Sequence, residues 1–198
     1  MTAQQAFWQW FSSHQDELFD FEADQERVFD ELSDRLIRVH PKLTFEFGPK
    51  TEWREFVISA GGLLEAFPAV TSLVAAAPKM DRWRVTGFRP RRTPLNRIAL
   101  GERRLGPEEV EFSLLTRGTE IGLRIFIPGF RDNDVALKQI AYLMLDEALG
   151  EYDVETKVGL IQMLPCESPR TTERYPLPDL PYRFDELASS LAGPDSVN

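Results

Sequence analysis

Neutral-pH catalysis most often draws on histidine, an activated cysteine or a bound metal. This chain holds only His14, His40 and Cys166 for those roles. His14 lies in an acidic stretch with helical spacing and His40 in a turn that ends a helix, so a surface or structural role is expected of each. A zinc site would have to take most of its ligands from carboxylates, which disfavours one. Cys166 has no cation closer than Arg170 in sequence to lower its pKa, so no catalytic thiol is expected. There is no G-x-S-x-G elbow, no P-loop lysine and no spaced-glycine dinucleotide fingerprint. Gly61-Gly62 follows a predicted strand and precedes a predicted helix. That context suits an anion at a helix N-terminus, but two glycines are more simply a tight turn. No cofactor and no metal are expected.

Charge is the strongest anomaly. Between Lys79 and Arg104 lie nine basic residues, eight of them arginine, against Asp81 and Glu102, in a chain of net charge −9. Arginine forks onto carboxylates and phosphates and stacks on aromatic rings. Two readings stay open. The arginines pair with an acidic N-terminal region, or Arg82, Arg84, Arg89, Arg91 and Arg92 form an anion- or partner-binding site with Trp83 and Phe88 as stacking surfaces. A second polar set, Glu46, Glu111, Ser113 and Arg124, joined by Arg84 and Gln162, falls on the strand phase opposite the apolar residues. Cross-strand pairing on a sheet face explains it; a cleft of carboxylates and arginines with shifted pKa values is the alternative.

The elements that would position these groups follow from periodicity. Thr2 and Gln5 fit a capping box, opening a helix with Phe7, Trp8, Phe11 and Leu18 on one stripe and Trp10 off it, with a break near Ser13 to Asp16. A second helix is predicted from Asp24 to Val39, on Val28, Leu32 and Leu36, before Pro41. Asp16, Glu17, Asp20, Glu22, Asp24, Glu26, Asp30, Glu31 and Asp34 crowd these two helices. Leu43 to Phe47 and Trp53 to Ile58 alternate as a hairpin, a helix follows from Pro68 to Ala77, and Arg82 to Phe88 is the next strand. Arg89 to Pro107 is predicted as a loop, with a short strand at Asn96 to Leu100. Glu109 to Leu115 and Glu120 to Ile127 form the clearest hairpin. A helix capped at Asp132, Asn133 or Asp134 runs to Gly150, and Val158 to Leu164 is a last strand. The tail from Pro165 is proline-rich, with one short helix on Phe184, Leu187 and Leu191, and its last residues, Gly193 to Asn198, are expected to fray.

The order strand, strand, helix, strand thus occurs twice, over 43–88 and 109–164. It predicts an α+β fold, a two-layer sandwich with a mostly antiparallel or mixed sheet, and a parallel pair where the helix crosses over. One domain over 1–198 is expected, comprising an acidic helical segment (1–40), the two repeats and a C-terminal strap (165–198). The apolar content of 42% argues against disorder. The acidic balance disfavours nucleic acid and anionic membrane, and no membrane-length apolar run or signal peptide is evident.

The segments FWQWF, REFVISAGG, FPAVTSLVAAAP and RWRVTGFRPR resemble those of an uncharacterised bacterial protein family of unknown function, over Phe7 to Leu164. The resemblance implies a bacterial, single-domain, cytoplasmic protein and carries no activity. The function expected is a non-enzymatic binding module that contacts a protein partner or another copy of itself. Two alternatives stand beside it: an enzyme acting on an anionic small molecule through the sheet-face carboxylates and arginines, and an acidic immunity-type antagonist of a basic protein.

Overall fold

The computed structural model describes residues 1–192 and is α+β. The expectation for Gly193 to Asn198 lies outside the described residues. The chain divides into two compact units, Met1–Arg89 and Pro90–Asn198, with the division inside the arginine-rich stretch. One strand–strand–helix–strand pattern falls in each.

The first unit opens with α1 (Ala3–Ser13), whose Thr2/Gln5 capping box forms as the sequence predicts. The helix breaks at His14 and resumes as α2 (Gln15–Phe19), and α3 (Gln25–Ile37) follows. Strands β1 (Thr44–Phe47) and β2 (Arg54–Ser59) pair antiparallel; α4 (Phe67–Ala75) crosses over and returns the chain as β3 (Trp83–Gly87), parallel to β2. The sheet order is β1-β2-β3. Central β2 buries Phe56, Val57 and Ile58 completely, as a strand covered on both faces must. The core is aromatic. Phe7, Trp8 and Phe11 of α1 pack on Phe56, with the Phe11 and Phe56 ring centroids 4.9 Å apart, and Trp83 meets Phe11 edge-on at 5.0 Å. Trp10, off the predicted stripe, is also buried; its Nε1 donates to Glu31 at 3.0 Å. Gly61 and Gly62 both have positive φ, at 60° and 76°, so the pair makes the tight turn that only glycine takes readily.

In the second unit, β4 (Ile98–Leu100) and β5 (Arg103–Leu105) form a small hairpin; the predicted loop contained the second of these strands. Strands β6 (Glu111–Arg117) and β7 (Glu120–Ile127) pair antiparallel, and α5 (Val135–Leu149) starts with Asp134 Oδ1 accepting from the Leu137 N–H. Gly150, φ 82°, ends it. An unpredicted helix, α6 (Glu151–Lys157), then leads into β8 (Val158–Pro165), parallel to β7. The tail adds β9 (Tyr175–Pro176) beside β6 and α7 (Leu180–Ala192), giving the order β8-β7-β6-β9. The proline-bearing β9 sits at a sheet edge, where a missing N–H is tolerated. Leu177, Leu180 and Phe184 of the tail join the core built by β6, β7 and α5.

Candidate functional site

The arginines of the 79–104 stretch are distributed over both units and are largely engaged. In the first unit, Arg82 reaches Asp16 of α2 at 3.3 Å and lies 3.6 Å from the Phe19 ring centroid. Arg84 donates to the carbonyls of Trp83 and Asp81 at 3.1 and 3.3 Å, and Arg89 pairs with Glu46 on β1. In the second unit, Arg91 forks onto Asp185 at 2.8 and 3.0 Å, adds Asp153 at 3.0 Å, and donates Nε to the Leu149 carbonyl; Asp185 first, and then Asp153, hold its proton more tightly than usual. The Arg92 backbone N–H donates to the Glu147 carbonyl at 2.7 Å. Arg97 pairs with Glu108 and Glu109, and Arg103 with Asp134 at 2.8 Å.

Most of the acidic N-terminal carboxylates find cations elsewhere. Lys50 pairs with Asp20 and Arg54 with Glu22, from outside the arginine-rich stretch, and each carboxyl is thereby held below its usual range. Arg54 is 1% exposed, with its guanidinium 4.4 Å from the Phe21 ring centroid. Trp83 is buried and Phe88 packs on Phe67 at 4.5 Å, so these rings complete a core. Trp53 is exposed, 46%, beside the Arg84 guanidinium at 5.8 Å.

The polar sheet-face set divides between the units. Glu46, with Arg84, belongs to the first. Glu111, Ser113 and Arg124 lie on one face of β6 and β7 in the second. Ser113 is paired with Arg124 in register and Arg124 with Gln162, to which its Nε donates at 3.0 Å. Buried Ser113 is 3.0 Å from the Thr172 hydroxyl. Glu111 accepts from Arg170 at 3.2 Å and Arg174 at 3.5 Å. Arg174 is a residue that sequence reasoning missed. Its side chain is almost wholly buried 3.5 Å from the Phe126 ring centroid, and it donates to the carbonyls of Cys166, Ser168 and Pro169. It fastens the 166–174 segment over this face.

Little here is prepared for nucleophilic chemistry. Burial, with Glu111 and Glu167 nearby, pushes the Cys166 thiol up, so it stays protonated at neutral pH. Burial, reinforced by Glu151, raises Glu155. No group of three or more metal-ligating side chains occurs among the described residues, and no described helix is long and apolar enough to cross a membrane.

The outer side of α3 is acidic. Asp24, Glu26, Asp30, Glu31 and Asp34 line a shallow groove with Arg27 as its one cation. Arg27 serves Glu17, Asp24 and Glu31; Arg35 also serves Glu31. Glu26, Asp30 and Asp34, four residues apart on one helix face, make no ion pair among the described residues. No family model matches the chain, and neither a curated protein nor a solved structure matches it.

Proposed function

We propose that this protein is an interaction module whose contact surface is the acidic ridge of α3, directed at a basic protein partner. One contrast carries the reading. The guanidinium groups of Arg82, Arg84, Arg89 and Arg91 are occupied by carboxylates and carbonyls of their own unit, whereas Glu26, Asp30 and Asp34 stay uncompensated at i, i+4 and i+8. Like charges at that spacing weaken a helix. A basic partner would turn the same repulsion into steering and specificity. The immunity-type antagonist is the narrower form of this proposal. The catalytic alternative draws less support, because Glu111, Ser113 and Arg124 are each engaged with a neighbour.

The test is capture by the immobilised protein from a cell lysate at low and high salt, beside a Glu26→Gln/Asp30→Gln/Asp34→Gln variant. The expected result is a basic protein retained at low salt, released at high salt, and lost with the variant. Equal retention by the variant, or retention indifferent to salt, would overturn the proposal.

A further inference from the structure

Strand β8 is a free sheet edge with an unusual composition. Natural edges are blunted by charge, proline, brevity or bulges, because unpaired N–H and C=O groups are a template for another strand. The four-residue β1 carries Glu46 and the five-residue β3 carries Arg84. By contrast β8 has eight residues, Val-Gly-Leu-Ile-Gln-Met-Leu-Pro, and no charge at all; its proline is confined to the last position, so the five residues from Leu160 to Leu164 carry neither charge nor proline. Its one irregularity against β7 falls between the Ile121 and Gly122 pairings, at Gly159, which leaves Leu160 to Pro165 regular. Its outer edge has no hydrogen-bonded partner among the described residues. Leu160 is 58% exposed.

We infer that β8 pairs antiparallel with β8 of a second copy of this chain, about a two-fold axis at Gln162. The sequence of the strand is self-complementary in that register. Leu160 of one copy meets Leu164 of the other, Ile161 meets Met163, and Gln162 meets itself, so no charge is buried and no like charges are opposed. Just beyond the strand, exposed Lys157, the last residue of α6 and paired with Asp153 of its own chain at 3.0 Å, would come beside exposed Glu167 of the other copy, at both ends of the ladder. Shifting the axis by one residue in either direction loses that opposition and sets Leu160 against Gln162 or Cys166. An isologous contact closes after two copies and would join two four-stranded sheets into one of eight. β8 and the α3 ridge share no residue, so the two proposals are tested independently.

Light scattering and sedimentation of the full chain over a concentration series test the inference. The wild type is expected to be a concentration-dependent dimer, and Gln162→Lys, which puts two lysines on the axis, a monomer with an unchanged far-UV spectrum. Should that variant not fold, the surface pair serves. Lys157→Glu alone is expected to weaken the dimer at least several-fold, and Lys157→Glu with Glu167→Lys to recover most of it. Gln162→Cys in a Cys166→Ser background should cross-link two copies under mild oxidation. A wild type that is monomeric at its highest soluble concentration, an open-ended polymer, or a double charge swap no stronger than the single one would each overturn the inference. The Glu26, Asp30 and Asp34 substitutions should leave the dimer intact.

Discussion

Arg54 shows how one residue organises the first unit. Its guanidinium sits among Phe19 and Phe21 and ends on Glu22, while its N–H donates to the Arg82 carbonyl at 2.8 Å. Its Nε is buried without a partner, a cost that burial of a charge in an aromatic setting brings with it. Removing such a group loses packing as well as charge. Arg54→Ala is therefore expected to destabilise the fold by about 2–4 kcal/mol, toward the low side because half-exposed Glu22 is left with water rather than in the core. Arg54→Met, which keeps much of the volume, should cost clearly less. Tryptophan fluorescence during denaturant unfolding measures both, since Trp8, Trp10, Trp53 and Trp83 all precede residue 90. Equal losses in the two variants would show that the charge, not the packing, carries the effect.

At the scale of the element, Asp134 separates two contributions at the start of α5. Its side chain caps the Leu137 N–H at 3.0 Å and also takes Arg103 at 2.8 Å. Asp134→Asn keeps the cap and gives up the ion pair; Asp134→Ala gives up both. The alanine variant is expected to lose about 1–2 kcal/mol and the asparagine variant less than half of that, read by thermal unfolding followed by circular dichroism. Equal losses would shift the weight to Arg103. The cap was one of three neighbouring candidates in the sequence, and this pattern holds generally. Alternation and helical spacing disclosed the β1–β2 and β6–β7 hairpins, both crossovers and the parallel pairing each produces. They hid α6, because Gly150 marks an end without saying that a new helix starts at once. They hid β5 inside a polar, arginine-bearing stretch with too few residues to show a period. The structure also buries Arg54 and exposes Trp53, the reverse of what their hydropathies favour. The polar strand residues were legible as a phase, but not their division between two units, nor the buried Arg174 that fastens the tail, since neither leaves a local pattern.

Across the whole molecule, acidic excess makes stability a function of pH with two opposed slopes. Asp20, beside Lys50, and Glu22, beside Arg54, bind protons more weakly folded than unfolded; so does Glu109, which accepts from the Gly106 N–H and from Arg97. Their contribution is complete above the ordinary values of 3.8 for Asp20 and 4.5 for the glutamates, and is lost as pH falls below those values toward the folded ones. Glu155 runs the other way. Its folded pKa is raised by burial and then by Glu151, so its contribution is complete below 4.5 and is lost as pH rises through the folded value. Thermal unfolding across a pH series is therefore expected to place the stability maximum on the acid side of neutrality, with a fall below about pH 4. Glu155→Gln should raise stability at pH 7 and leave it nearly unchanged near pH 4, whereas Glu22→Gln should lower it at pH 7 and flatten the acid fall. A Glu155→Gln variant that was less stable at pH 7 than at pH 4, relative to wild type, would mean that its carboxylate is favourably held in the folded state and that this side of the balance has the opposite sign.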